Sequence, residues 1–480
     1  MKRKMFSLLF AALMIVSLAA CKTEGYYQQI SKSGNSAATL SDSAGTESEE
    51  SGGEESRDTA DQSGETSSPS GPTGSTQSQS TSGSVKKIDL RTAKFPGVTL
   101  KRIIWYDMSQ EEKNMVAAWE KKTGAKIQDV RVGFEQINDR IAASIKAGDY
   151  IDIGFIYGAY FPGVVISGLY QRVDDYIRPE YLVDSSAPEK GGFDINKMTE
   201  YKWKNHFYGL CSYWDVDALA LYFRPSVFKQ YGITDPNTLA SQGKWNWDTF
   251  YEAAEKITRM SNKTMYGFSR GFEAISGFEN HWITGAGSSF VVMKGGKPVI
   301  NFSDPKLVEG LRFFQKTATG NTAVCAPGNS FKDGKAAMFV GGLYDIVNIM
   351  KSAAANVKND WDVAPVPLSP NNKTGKYPAD WLKAIGITLG SKNADAVASY
   401  ALFRSSYKGD NAYEEYLNAE QIKRVNPFYN NVAHANYGYG NLVLNHGRFF
   451  NEIFMGEDIT KVLKDNMAAY QNEIDKTLNR

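Results

Sequence analysis

From about Lys94 onward the chain alternates short apolar runs with stretches of helical period. Arg102-Ile103-Ile104-Trp105-Tyr106 reads as a strand, and Ser109 with Glu112 three positions on predicts a capping box that opens a helix. Met115, Val116 and Trp119 share one face of that helix, and Gly124 suits its C-terminal turn. Ile127 to Val132 reads as the next strand. Gln136 to Ala147 follows as a helix, with Ile137, Ile141 and Ile145 on one stripe and Gly148 as its stop. Tyr150 to Ile156 is a third, mostly apolar strand. Such alternation predicts an α/β fold with a largely parallel sheet. Further on, Trp247 to Arg259 places Phe250, Ala253, Ala254 and Ile257 on one helical face. Asp458 to Leu478 does the same with Ile459, Val462, Leu463, Met467, Tyr470, Ile474 and Leu478. About 385 residues of this kind exceed what one core holds, so two lobes are expected.

The first residues follow a different pattern. Lys2, Arg3 and Lys4 precede an apolar run from Met5 to Ser17, the layout of a secretory signal peptide. The run is shorter than the roughly 20 residues a spanning helix needs. It ends in Leu18-Ala19-Ala20-Cys21, which resembles the lipobox of bacterial lipoproteins. Residues 1–20 are therefore expected to be removed and Cys21 to carry the lipid. Two or more acyl chains hold a protein stably at a bilayer. Residues 21–93 are expected to form a disordered tether, because Lys22 to Ser84 is nearly all Ser, Gly, Thr, Glu, Asp, Gln and Pro and has almost nothing to bury. The expected location is the extracytoplasmic face of the bacterial cell membrane, held by the lipid anchor only.

Charge and motifs exclude more than they include. The formal net charge is +1, which gives no electrostatic preference for nucleic acid. His206, His281, His434 and His446 show no metal-ligand spacing. No nucleophile elbow, phosphate loop or dinucleotide fingerprint is present. No metal, no cofactor and no catalytic residue is expected. Cys211 and Cys325 are read as buried thiols in preference to a disulfide.

Four motifs in order carry a resemblance. The first is Tyr208-Gly209-Leu210, then Ala220-Leu221-Tyr222-Phe223-Arg224-Pro225-Ser226-Val227-Phe228 and Trp245-Asn246-Trp247-Asp248. The second is Phe331-Lys332-Asp333-Gly334-Lys335-Ala336-Ala337-Met338-Phe339. The third is Trp361-Asp362-Val363-Ala364-Pro365-Val366-Pro367 with Ala384-Ile385-Gly386-Ile387. The fourth is the terminal amphipathic helix behind Met455-Gly456-Glu457-Asp458. Together they resemble the extracellular solute-binding proteins of family 1, with Phe223-Arg224 departing from the family's Tyr-Asn pair. The resemblance implies a two-lobed, type II periplasmic-binding-protein-like α/β fold, each lobe a sheet flanked by helices. It places lobe one at 94–210 plus 380–430 and lobe two at 211–379 plus 431–480. It also implies a monomeric ABC-importer component that takes a carbohydrate, an oligosaccharide by the number of rings available, and passes it to permease subunits.

A sugar needs flat apolar platforms for its C–H faces and paired donors and acceptors for its hydroxyls. Residues of both kinds follow the expected strands, where open α/β sheets bind ligands. Trp105 and Asp107 end the first strand, and Tyr157 follows the third with Tyr160 beyond it. Tyr213, Trp214 and Asp215 sit near the expected crossover. Trp282 lies in a loop-like stretch, Tyr344 follows Gly341-Gly342, and Asp380 and Trp381 precede the returning strand. Tyr437 lies between glycines late in the chain. Two other readings stay open: a glycan-binding or sensory lipoprotein that feeds no transporter, and a tethered glycoside hydrolase, which would need two carboxylates roughly 5–10 Å apart.

Overall fold

The computed structural model describes residues 88–269, 280–319, 323–326, 330–407, 416–433 and 446–479. The apolar leader, Cys21, the acidic segment to Ser84 and Tyr437 lie outside the described residues. Packing begins earlier than the expected end of the tether at residue 93. Leu90 is buried; its N–H donates to the Tyr181 hydroxyl at 2.8 Å and its carbonyl accepts from Ser399 Oγ at 2.9 Å. Ile88 packs against the same core, and its carbonyl accepts from Arg178 Nη1 at 2.9 Å.

The βαβ opening forms as the periodicity predicts. β1 (Thr99–Ile104), α1 (Gln110–Thr123), β2 (Lys126–Arg131), α2 (Ile137–Ala147) and β3 (Ile153–Tyr157) follow in order. Ser109 caps α1 by accepting from the Glu112 N–H at 3.1 Å. Gly124 and Gly148 end the two helices at φ 79° and 68°, a backbone that favours glycine. β3 begins later than the apolar run at Tyr150, and the Asp152 carboxylate just before it is taken up by partners far along the chain. It accepts from the Lys101 N–H, Ser391 Oγ and Asn393 Nδ2 at 2.9, 2.6 and 3.0 Å.

The second part of the chain supplies β4 (Val216–Phe223), α3 (Trp247–Met260), β5 (Phe268–Ser269), α4 (Asn280–Gly285), α5 (Pro305–Ala318), β6 (Cys325–Ala326), β7 (Met338–Gly342), β8 (Asp362–Ala364) and β9 (Tyr377–Ile387). α6 (Ala394–Arg404), α7 (Ala419–Asn430), β10 (Val432–Ala433), α8 (His446–Phe454) and α9 (Ile459–Leu478) complete it. The main sheet has ten strands in the order β6-β5-β7-β4-β9-β3-β1-β2, with β8 paired to β4 and β10 to β9. Pairing is parallel in β1–β2, β1–β3, β5–β6 and β5–β7. The long central strands differ from the largely parallel expectation: β4 and β9 run antiparallel to each other and to β7, β8 and β3.

β9 is shared. Its N-terminal half, Ala379 to Leu382, pairs with Ala218 to Val216 of β4. Its C-terminal half, Lys383 to Ile387, pairs with Tyr157 to Ile153 of β3. The register against β4 shifts between Ala379 and Trp381, and the strand passes from one neighbour to the other between Leu382 and Lys383. α7 sits on the β4 side. It was expected with the first lobe, but Val425 and Phe428 join Tyr222 and Val363 in one cluster. Arg424 and Gln421 also donate to Asp362 of β8 at 2.6 and 2.8 Å. On α9, Ile459, Val462, Leu463 and Ile474 are buried as expected, while Met467 is exposed. Cys211 and Cys325 are both buried thiols.

Candidate functional site

Three parallel strands end side by side, and a ring follows each. Trp105 comes after β1, Phe134 after β2, and Tyr157 closes β3 before the turn Gly158–Tyr160. The Trp105 and Tyr157 rings are 5.5 Å apart and nearly perpendicular. Phe134 lies 5.7 Å from Trp105, 5.1 Å from Tyr157 and 6.1 Å from Tyr160. Edge-to-face contacts of this kind hold rings in fixed orientation. Tyr157 is buried, whereas Trp105, Phe134 and Tyr160 are partly exposed. The result is a small aromatic patch at the strand ends. Phe134 was not singled out from sequence, although its place directly after β2 is the same signal that marks Trp105.

The patch borders the strand crossover. The turn Gly158–Tyr160 packs against β9, and Lys383 of β9 is the register partner of Tyr157. Trp381 stands opposite Asp217 of β4, so the backbone at Asp380 and Trp381 lies on the β4 side, just before β9 leaves β4 for β3 at Lys383. Lys383 Nζ donates to Asp217 Oδ1 at 3.1 Å, and each side chain keeps 20% exposure. This pair also escaped the sequence reading. Its signal is a charge set among apolar neighbours in each strand, Val216-Asp217-Ala218-Leu219 and Leu382-Lys383-Ala384-Ile385.

β7 reaches the same place from the other side of β4. Gly342 pairs with Leu219, and the Leu343 N–H donates to the Ala218 carbonyl at 3.0 Å. Tyr344 follows, 40% exposed, with its ring folded over Gly342. A Cβ at Gly342 would lie 2.2 Å from a Tyr344 ring carbon, so only glycine admits this placement. Tyr344 and Trp381 thus flank Asp217-Ala218 on strands about 10 Å apart, two interstrand spacings.

Other expected site residues lie elsewhere. Trp282 is a correction. It is on helix α4, not a loop, and is 1% exposed among Trp247, Phe250, Phe268 and Phe313. Six residues are too few for a helical period to show, and the ring is core. Tyr213 and Trp214 form a buried wall, edge to face at 4.8 Å. Lys197 Nζ sits 4.8 Å over the Tyr213 ring and donates to Asp194 Oδ2 and the Tyr213 carbonyl at 2.8 and 2.6 Å. Asp215 is buried and accepts from Arg404 Nη1 and the Ser212 N–H, both at 2.7 Å. These residues brace the crossover from within. Asp107 is on the surface, 2.8 Å from Arg131 Nη1, at the rim of the aromatic patch. Beneath Gly158 lies Tyr201, and burial pushes the carboxyl of its neighbour Glu200 up to about 7. Among the described residues no group of three His, Cys, Asp or Glu is placed to hold a metal ion.

No curated protein matches the sequence. Among solved structures, the chain is similar to the sugar-binding protein MalE from Xanthomonas citri. The TM-score is 0.60 at 13% identity, over 80% of this chain and 98% of that one. The galacto-N-biose/lacto-N-biose I-binding protein from Bifidobacterium longum, solved with lacto-N-biose, gives 0.59 at 18%, over 80% and 98%. UgpB from Mycobacterium tuberculosis, solved with glycerophosphocholine, gives 0.58 at 15%, over 80% and 100%. These likenesses are of fold. The model of the family described as bacterial extracellular solute-binding protein matches residues 107–403. This chain therefore belongs to the bacterial extracellular solute-binding protein family and has its two-lobed, type II periplasmic-binding-protein-like α/β fold.

Proposed function

We propose that this protein is the membrane-anchored solute receptor of an ABC importer and binds an oligosaccharide at the strand crossover. The observation that carries the reading is the patch of Trp105, Phe134 and Tyr160 beside the half-buried Asp217–Lys383 pair. Rings that keep one face open stack on the apolar faces of a sugar. A charged pair with remaining exposure serves the hydroxyl rim, since charge-assisted hydrogen bonds are roughly twice as strong as neutral ones. Tyr344 adds a ring from the β4 side.

The first lobe in this reading comprises about residues 88–215 with 383–407, and the second about 216–382 with 416–479. The chain crosses between them at 215–218, at 379–383 and between Tyr407 and Tyr416. Solute bridging the two lobes favours a closed form by its differential contacts, and the permease reads that form. Cys21 carries the lipid, and residues 22–87 give the receptor its reach. Asp215 and Asp217 are each committed to a cation, an arrangement suited to binding and not to proton delivery.

The test is a thermal-shift panel of oligosaccharides with glycerophosphocholine as the non-sugar arm. A cognate oligosaccharide at 100 times its Kd stabilises the fold by about 2.7 kcal/mol and raises Tm accordingly. Trp105→Ala should abolish most of that shift. A response to glycerophosphocholine alone, or to nothing in a broad panel, would overturn the sugar assignment.

A further inference from the structure

We propose that a buried ionic network behind the aromatic patch sets the orientation of Trp105, making Glu112 and Tyr106 positioning residues of the binding face. The proposal rests on the reading of that patch as a ligand surface.

Arg102 lies on β1, three residues before Trp105, and is fully buried. Its guanidinium grips Asp129 of β2 with both prongs, Nε to Oδ1 at 2.7 Å and Nη2 to Oδ2 at 3.1 Å. Nη1 donates to Glu112 Oε1 at 3.0 Å and to the Tyr400 hydroxyl at 2.7 Å. The same Glu112 oxygen accepts from the Tyr106 hydroxyl at 2.9 Å. The Tyr106 ring in turn meets Trp105 at 4.9 Å and 71°. The chain of contacts thus runs from a rigid ion pair, through one carboxylate oxygen, to a phenol, and from the phenol to the indole at the strand end.

Stability alone is a poor reason for this construction. Arg102 and Glu112 are both out of water, while the Asp129 side chain keeps 26% exposure; desolvating the first two costs much of what their attraction returns, and apolar residues of like volume serve a core as well. What the network supplies is direction. A bidentate guanidinium fixes the plane of its partner, and Glu112, held by Arg102 on one side and by its place in α1 on the other, presents a fixed acceptor to Tyr106. Tyr106 cannot rotate without breaking that bond, so Trp105 has a fixed edge to lean on. A ring that must meet a flat sugar face gains from this, because freezing it beforehand lowers the ordering cost of binding.

The test uses the whole protein labelled with 5-fluorotryptophan, with the Trp105 fluorine line assigned by its loss in Trp105→Phe. Glu112→Gln, which is separated from Trp105 by Tyr106, should shift or broaden that line, and Tyr106→Phe should do the same. In the Tyr106→Phe background, Glu112→Gln should add nothing. Affinity for the best oligosaccharide of the panel should fall by about threefold to tenfold in each variant, the worth of one oriented aromatic contact. A Glu112→Gln protein with lowered Tm and an unmoved Trp105 line would overturn the proposal. Should Glu112→Gln fail to fold, Tyr106→Phe removes one oxygen only, and an unmoved line there would overturn it equally. The fluorine line reads orientation without ligand, so a panel with no sugar hit would sink the ligand assignment and leave this result to stand or fall separately.

Discussion

Arg404 Nη1 lies 2.7 Å from Asp215 Oδ1, with both side chains buried. Arg404 ends α6, and Asp215 stands one residue before β4, so the bond ties the end of that helix to the start of the central strand. Removing one partner leaves a charge in a site that water does not reach. Arg404→Met should therefore cost about 3–5 kcal/mol in urea unfolding. Adding Asp215→Asn should recover part of the loss. A single variant as stable as the parent would show that the pair braces nothing.

Gly342→Ala tests the seat of Tyr344. The new methyl would collide with the ring at 2.2 Å, and the ring is the group able to move. Stability should drop by about 1–3 kcal/mol, as for overpacking elsewhere, and oligosaccharide affinity should fall with it. Calorimetric titration showing unchanged affinity would remove Tyr344 from the binding surface.

Lys383→Met separates binding from folding. The Asp217–Lys383 pair is partly solvated, so its loss should change stability by only about 1 kcal/mol. A bound hydroxyl that loses a charged donor should cost roughly 1.5–3 kcal/mol, about tenfold or more in Kd. Loss of stability without loss of affinity would place the pair outside the site.

Burial raises the Glu200 carboxyl from its ordinary 4.5 to about 7. Between those values the folded protein holds a proton that the unfolded chain releases. The contribution of this group to stability is full below about pH 4.5 and is lost as pH rises through 7. Glu200→Gln stays neutral throughout. Its unfolding free energy should match the parent near pH 4.5 and exceed it at pH 8, by about 1 kcal/mol after solvent screening. Parallel curves for the two proteins from pH 4.5 to 8 would contradict the raised carboxyl.

Truncation tests the start of the folded part. A chain beginning at residue 86 should melt like the parent. One beginning at residue 95 loses Leu90 and its bonds to Tyr181 and Ser399, and should be less stable by about 2–4 kcal/mol. Equal melting of both would return residues 88–93 to the tether.

The local rules were legible where one residue settles one feature. Ser109 caps α1, Gly124 and Gly148 stop their helices, and Trp105 follows the first strand to its end. Partnership was not legible. An amphipathic stripe such as Ile422, Val425 and Phe428 reports that a core exists and not which core. An apolar run such as Trp381 to Ile387 reports burial and not the change of neighbour within β9. Trp282 looked like a loop residue because its helix is too short for a period to register. Asp217 and Lys383 passed unnoticed because each is a single charge, and only the fold shows that they are across from one another.

The shared strand β9 has a consequence for how the molecule comes into being. β3 has no antiparallel neighbour until Lys383–Ile387 arrive, after every residue of β4 to β8 has been made. A chain of an extracellular family must thread a membrane before it settles, and a polypeptide that knots itself early would jam. Here β1 to β3 wait with an open border for a piece delivered late, so completion is deferred until residue 387 of 480 has emerged.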